Sequence, residues 1–206
     1  GRVLQAPEWI QTAERMAKFF LTVMRSPDGG LWHRFRQGEA GIPAFLDDYA
    51  FFLWGLLEIY ETTFETYYLT AALELNNYLR QYFLDEGEGG YFQTSTTGEK
   101  VLIRQKELYD GAIPSGNSVM MLNLIRLARL TGDPSLQQEA ERISASFADQ
   151  VMTAPVNYPQ FLSALDMAFG PSQEVVIVGR RGEELTEKML SFLATTFHPR
   201  RVVLFR

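Results

Sequence analysis

An internal repeat is the feature that most constrains how this 206-residue chain folds. Trp9–Ala13 aligns with Tyr68–Ala72 at an offset of 59, and each segment opens an amphipathic stretch. The glycine turns that follow also align, because Asp28–Trp32 matches Glu88–Phe92 at an offset of 60. Such self-similarity predicts a supersecondary unit that buries its apolar face only against neighbouring copies.

Each repeat unit is predicted to contain a helix, a glycine turn with a short β excursion, and a second helix. Apolar residues spaced i, i+3 and i+4 predict helices at about 8–25, 46–62, 66–84, 116–131, 134–151 and 158–169. Short strands are predicted at Leu31–Arg36, Tyr91–Thr94 and Val101–Arg104, with the last two joined by a polar turn. The six helices form three consecutive helical hairpins.

The C-terminal tail has a different pattern, which begins after Gly170 and Pro171. Val175–Val178 and Val202–Phe205 are apolar runs that predict two strands, with a helix at about 182–197 between them. We therefore expect a helical domain over 1–170 and a strand-helix-strand appendage over 171–206. Because two strands alone are only marginally stable, the appendage should pack against other parts of the protein.

Composition excludes several classes of function. The net charge is −6, which provides no basic surface for a nucleic acid backbone. The chain has no cysteine and two histidines, so we predict no disulfide, no thiol nucleophile, no metal site and no cofactor. No apolar run is long enough to span a bilayer and no leader pattern is present, so we expect a soluble cytoplasmic protein with no membrane partner.

Three motifs together resemble one protein family: Phe45–Phe51, Lys106–Ser118 and Glu174–Gly179. It is the family that contains spermatogenesis-associated protein 20 and bacterial YyaL proteins. The resemblance implies a thioredoxin-like domain followed by an α/α toroid related to six-hairpin glycosidases and N-acylglucosamine 2-epimerases. The expected fold is therefore mainly α: three helical hairpins of such a toroid, with short β hairpins in the loops and a C-terminal β-α-β appendage.

The chain also departs from the family pattern. It has no Cys-x-x-Cys and no thioredoxin-like region, and three hairpins are half of a six-hairpin ring. It thus resembles the C-terminal part of a longer protein. Hairpins that lack a neighbour expose apolar surface, so we expect a homodimer, contact with a missing N-terminal half, or an appendage folded across one open edge. Met16, Phe19 and Phe20 on the first helix should contribute to that surface.

Four acidic residues are candidates for catalysis at the ring mouth, the end where the inner helices begin. Sugar-processing toroids place acids there because cleavage of a glycosidic bond needs two carboxyl groups, ~5–10 Å apart. The candidates are Asp47, Asp48, Glu107 and Asp110, of which Asp48 and Asp110 are repeat equivalents. The alternative is structural, because an Asp at a helix start commonly accepts hydrogen bonds from backbone amides.

Four further residues are candidates for contact with a sugar: Trp32, Tyr49, Tyr109 and Asn117. Aromatic rings pack on the C–H faces of sugars, although most aromatic residues in such a chain belong to the core, and Asn117 could instead serve a helix cap. The long loop Gly90–Pro114 should fold over the mouth as a β hairpin that supplies Tyr109, with a mobile tip at Ser95–Glu99.

Only His33 lies near the mouth among the histidines, and its repeat partner is Gln93. A single imidazole cannot exchange protons on both faces of a sugar carbon, which argues against an epimerase. The resemblance implies a carbohydrate-related domain with a glycoside hydrolase-like or epimerase-like site. The alternative is a non-catalytic module that binds a partner or positions a thioredoxin-like domain.

Overall fold

A computed structural model describes residues 1–98 and 102–206 and is mainly helical. Its helices match the predicted ones within a few residues. In chain order the elements are α1 Pro7–Thr22, β1 Trp32–Arg36, β2 Glu39–Pro43, α2 Leu46–Thr63, α3 Thr66–Tyr82, α4 Gly116–Thr131, α5 Pro134–Thr153, a 3-10 turn Pro155–Asn157, α6 Pro159–Phe169, β3 Gln173–Ile177, α7 Glu184–Thr195 and β4 Arg201–Phe205.

The first six helices form two layers. Helix α2 packs against α3 and α4, and α4 packs against α5 and α6, so α2, α4 and α6 are the inner helices. Helices α1, α3 and α5 form the outer layer. Because α4 has neighbours on both sides, nearly its whole length is buried, including the polar Asn117, Asn123 and Arg126. The expected fold of three toroid hairpins is confirmed.

The helix ends follow ordinary capping chemistry. Ser115 begins α4 by accepting a hydrogen bond from the Ser118 amide, and Asp133 begins α5 by accepting one from the Ser135 amide. Gly132 ends α4 with a φ of +74°, a left-handed conformation that glycine adopts without steric cost. Phe64 ends α2 with a φ of +59°, which is unusual for an aromatic residue.

The loops correct part of the sequence prediction. The first loop contains a β hairpin, β1 with β2, although only its first strand was expected. The second loop forms no strand at Tyr91–Thr94, where a single bridge joins Leu84 to Tyr91, and none at 102–104. Leu102 and Ile103 are both exposed, so neither face of this segment packs on the core. A strand here would have no buried face to fix its register. Glu99 and Val101, which belonged to the predicted tip and strand, lie outside the described residues.

The C-terminal appendage packs on the helical layers as expected. Strands β3 and β4 form a parallel pair, and β4 lies against α4 and α2. Val202 on β4 is fully buried within the same apolar core as the inner helices. Arg181 donates a hydrogen bond to the carbonyl of Thr63, the last residue of α2, so the appendage sits where the inner helices end.

No helix in the described parts of the chain, 1–98 and 102–206, is both long and apolar enough to cross a membrane.

Val202→Ala should lower the free energy of unfolding by about 1–3 kcal/mol, because it removes two buried methyl groups from the shared core and leaves a cavity. Chemical denaturation should show one cooperative transition for both proteins. Val178→Ala is the matched control: the same change at an exposed position should alter stability by less than ~0.5 kcal/mol. Two separate transitions, with only the weaker one shifted, would instead mean that the appendage unfolds independently.

Candidate functional site

The mouth is the end of the molecule at which α2, α4 and α6 begin. Gln93 in the second loop contacts the start of α2, because its carbonyl accepts a hydrogen bond from the Leu46 amide. Asp110 in the same loop contacts the starts of both α4 and α6. Three inner-helix N-termini therefore converge, each with backbone amides that have no partner inside their own helix and with the positive end of a helix dipole.

Asp47 is the half-buried acid at the centre of the mouth. Gln93 Nε2 donates a hydrogen bond of 2.9 Å to Asp47 Oδ2. Asp47 Oδ1 is buried and has no partner in hydrogen-bond geometry among the described residues. Burial raises the pKa of Asp47, and the charges of Asp48 and Glu107 add to the rise, while Gln93 and the nearby Gly116 amide oppose it. This carboxyl group therefore keeps its proton to a higher pH than an exposed Asp.

Gly116 allows the carboxyl group of Asp47 to lie against the start of α4. A Cβ atom at this position would be 2.5 Å from Asp47 Oδ1 and 2.7 Å from Leu46 Cγ, distances that no side chain tolerates. The first residue of α4 must therefore be glycine for α2 and α4 to begin this close together.

Asp48 holds His33 while it caps its own helix. Its Oδ2 accepts a hydrogen bond of 2.8 Å from the Phe45 amide at the start of α2. The same oxygen lies 2.8 Å from His33 Nδ1 on strand β1. Because a carboxylate only accepts hydrogen bonds, this contact orients the imidazole ring with its Nδ1 towards Asp48 and its Nε2 away from it.

The contacts of Asp110 are those of a helix cap, which is the structural alternative to a catalytic role. It is buried, its Oδ1 accepts from the Ser115 amide, and its Oδ2 accepts from the amides of Gln160 and Phe161 in α6. Three backbone donors occupy this carboxylate, which joins the starts of two inner helices. Glu107 differs, because it is exposed at the mouth and only its Oε1 is engaged, by the Tyr109 amide.

Two of the four predicted sugar-contact residues are buried, which corrects that prediction. Tyr49 lies in the core, where its ring stacks on Tyr78 and its hydroxyl accepts from the Leu31 amide. Asn117 is fully enclosed and bonds to both backbone groups of Tyr91 and to the Glu107 carbonyl, so it holds the second loop in place. Trp32 is half-buried on β1 and Tyr109 is exposed, so these two rings remain accessible.

One face of α2 continues the mouth inward. Asp47, Phe51 and Trp54 are spaced i, i+4 and i+7, so they share this face. The rings of Phe51 and Trp54 are half-buried and stack at 6.4 Å with an interplanar angle of 21°. Most aromatic residues in a chain of this composition belong to the core, so composition does not single out these two. Their helical spacing from Asp47 was the signal that could have distinguished them.

His33 and Gln93 are the partners of the two acids of α2, roles that were not predicted from the sequence. These two residues are repeat equivalents, and each reaches one of the adjacent residues Asp48 and Asp47. Their matching offset was the available signal. Within 1–98 and 102–206, no group of three or more His, Asp or Glu side chains is placed to hold a metal ion.

The chain is similar to spermatogenesis-associated protein 20. It is 30% identical to the rat protein over 99% of this chain and 27% of the relative, and 32% identical to the human protein over 78% and 20%. It is 31% identical to an uncharacterised protein of Caenorhabditis elegans over 92% and 27%. The chain thus spans about a quarter of the length of these relatives. No family model matches it.

Solved structures with a similar fold are carbohydrate-active enzymes. Cellobiose 2-epimerase from Bacillus thermoamylovorans has a TM-score of 0.60 and 18% identity, over 73% of this chain and 40% of that one. A GH76 alpha-mannanase from Bacteroides thetaiotaomicron has a TM-score of 0.55 and 18% identity, over 71% and 39%. Unsaturated glucuronyl hydrolase from Bacillus has a TM-score of 0.53 and 13% identity, over 94% and 56%. The family resemblance and the toroid fold predicted from the sequence are confirmed.

Asp47→Asn should raise the free energy of unfolding at pH 7 by about 0.5–2 kcal/mol, because it replaces an ionisable group in a buried site by a neutral one. Because the folded-state pKa of Asp47 lies above its unfolded value, ionisation costs stability as the pH rises past the unfolded value. The advantage of the variant should therefore disappear at acid pH. Urea denaturation at a series of pH values measures it.

Asp85→Asn is a control with the opposite sign. Lys106 Nζ donates a hydrogen bond of 2.8 Å to Asp85, which lowers the pKa of that carboxyl. Its ionised form stabilises the protein above the unfolded pKa, and this contribution is lost as the pH falls through the folded value. The variant should thus be less stable at pH 7 and equal to wild type in acid. Two variants with the same pH dependence would contradict the assigned environments.

Proposed function

Because this chain resembles the family of spermatogenesis-associated protein 20 and has the fold of carbohydrate-active toroids, we propose that its mouth binds a carbohydrate and that Asp47 is the proton donor of a glycoside hydrolase-like site. One observation carries the proposal. Asp47 is a half-buried carboxyl group whose burial raises its pKa, at the convergence of the inner helices.

A raised pKa suits a general acid, because the group must still carry its proton near neutral pH in order to deliver it to a leaving oxygen. Asp47 lies in an environment that favours this state, whereas Asp110 is engaged by three amides. Gln93 holds one oxygen of Asp47, and the other, Oδ1, is buried beside the Gly116 amide. These features support Asp47 over the other candidate acids as the proton donor.

The second carboxyl group in the proposal is Glu107. It is exposed at the mouth, and its charge adds to the rise in the pKa of Asp47. Asp48 serves instead to orient His33. A carboxylate opposite the acid would activate water or stabilise the positive charge that develops on the sugar.

Aromatic side chains provide the surface on which a sugar ring would rest. Trp32 and Tyr109 flank the mouth, and Phe51 and Trp54 line the α2 face beside Asp47. Sugars expose apolar C–H faces and polar edges, so a site with aromatic walls and carboxyl groups fits their chemistry. The arrangement supports a carbohydrate ligand without selecting a particular sugar or linkage.

Tyr109→Ala should weaken carbohydrate binding by roughly 3- to 10-fold, the equivalent of about 0.5–1.5 kcal/mol of ring contact. Calorimetric titration with manno-oligosaccharides, cellobiose and unsaturated glucuronides covers the substrates named for the structural neighbours. Tyr67→Ala is the matched control, because Tyr67 on α3 is 52% exposed and Tyr109 is 54% exposed.

The Asp47→Asn variant should still bind sugar, but its turnover should be lower by roughly 100-fold or more. Asp149→Asn, on the exposed face of α5, is the control and should leave turnover unchanged. Absence of saturable binding across the panel would favour the non-catalytic interaction module.

The pair of His33 and Asp48 supports a second candidate, proton exchange at a sugar carbon as in an epimerase. The imidazole is oriented by a carboxylate, and Asp47 could supply the second proton-transfer group that a lone histidine lacks. In deuterium oxide, an epimerase-like site would exchange the proton next to the carbonyl carbon of a reducing sugar, which proton NMR detects. His33→Gln should abolish the exchange, whereas His198→Gln should not. Hydrolysis without deuterium incorporation would exclude this candidate.

A further inference from the structure

A basic segment runs from the second half of α1 through strand β1. Residues 15–36 contain five Lys or Arg and one Asp or Glu, whereas the whole chain contains 19 and 25. The five are Arg15 and Lys18 on α1, Arg25 in the turn, and Arg34 and Arg36 on β1. Because the rest of the chain is strongly acidic, this segment is where an anionic ligand would be attracted.

Strand β1 divides its side chains between two faces. His33 and Phe35 face the body of the protein, because His33 contacts the start of α2 and Phe35 packs against an aromatic ring of α1 at 5.2 Å. Side chains alternate along a strand, so Trp32, Arg34 and Arg36 share the opposite face. Arg34 and Arg36 are exposed, and within 1–98 and 102–206 neither guanidinium has an ion pair or a hydrogen bond.

The partner strand β2 leaves Arg34 uncovered. In the antiparallel register Trp32 pairs with Pro43 and Arg34 pairs with Gly41, so two apolar side chains lie beside an arginine that has no side chain opposite it. A Cβ atom at Gly41 would meet nothing within 4 Å except its neighbours along the chain. The single acid of the β hairpin, Glu39, lies opposite the outermost arginine and not opposite Arg34.

Given the proposed carbohydrate function, on which this step rests, we propose that the face formed by Trp32, Arg34 and Pro43 binds a uronate unit of an acidic oligosaccharide. The sugar ring lies on Trp32 and Pro43, and its carboxylate pairs with Arg34. Residues two apart on a strand are separated by about 7 Å, a distance that the long arginine side chain spans. A guanidinium matches a carboxylate through two parallel hydrogen bonds.

The base of the β hairpin is attached to the mouth. The Leu31 amide donates to the hydroxyl of Tyr49 on α2, and the Ala44 amide donates to the Leu31 carbonyl. Trp32 therefore lies beside the start of α2, and Arg34 lies further out. The acids of the mouth repel a carboxylate, whereas Arg34 attracts one, so the acidic unit of the ligand is directed outward. A long polyanion is disfavoured by the net charge of −6, while a short acidic sugar needs only this face.

Calorimetric titration with uronate trisaccharides and their methyl esters isolates the effect of charge, because the esters keep the sugar rings and lose the carboxylates. The probes are trimers of galacturonate, mannuronate and glucuronate. The wild-type chain should bind at least one acid trimer roughly 10-fold more tightly than its ester, and added salt should reduce this preference.

Arg34→Gln should remove the preference by weakening the acid trimer roughly 10-fold while leaving its ester unchanged. Arg180→Gln is the matched control, because it makes the same change at an exposed position of the appendage and should affect neither ligand.

Gly41→Glu supplies a competing carboxylate from within the chain. It should pair with Arg34 across the two strands and abolish the preference for the acid trimer. Gly41→Gln adds the same bulk without the charge and should retain the preference. Circular dichroism establishes that each variant is folded.

The outcomes separate the ligand class from the catalytic role of Asp47. Equal binding of acid trimers and esters would overturn the uronate site while leaving the carbohydrate function in place. A preference that depends on Arg34 without any turnover would support the uronate site and contradict catalysis by Asp47. Binding of inorganic polyphosphate as tightly as the acid trimers, or of no trimer at all, would also overturn the uronate site.

Discussion

The enclosure of α4 by its neighbours is the constraint on which the rest of the structure depends. A single helical hairpin of this length cannot bury an apolar face alone, so the outer helix α5, the inner helices α2 and α6 and strand β4 all pack around α4. Its polar residues are buried with it and must find partners there, as Asn123 does with the Ala50 carbonyl. The position of the appendage follows from the same requirement, because Val202 completes the core at the end where α2 and α4 finish.

The mouth arises from this packing because it brings three helix N-termini together. Free amides and aligned dipoles favour carboxylates, which explains why acidic residues collect there. Both oxygens of Asp110 accept backbone amides in this role, and a single oxygen of Asp48, Oδ2, serves both the cap and the contact with His33. Asp47 is different, because the close approach of Gly116 buries it and this burial raises its pKa more than the neighbouring donors lower it. Stability alone does not account for a desolvated carboxyl group, which is why it marks the candidate site.

The two edges of the half ring lack the neighbours that surround α4. A repeat protein satisfies its interior units through their neighbours, whereas terminal units remain incomplete unless they are capped or paired. Here α4 is enclosed, while Met16 on α1 and Phe169 on α6 stay exposed. The candidate site therefore originates in the stacking of repeated hairpins.

The sequence by itself determined the helices, the repeat, the strand-helix-strand tail and the family resemblance, because apolar periodicity, capping residues and glycine turns act over a few neighbouring residues. It also identified the acids of the mouth, including Asp47, as candidate site residues. It did not separate Asp47 from Asp110 or Trp32 from Tyr49, and it placed strands in the second loop that do not form. Only the tertiary structure decided these points, because burial, the carboxylate partners and the approach of Gly116 depend on residues tens of positions apart, whose distances no local pattern records.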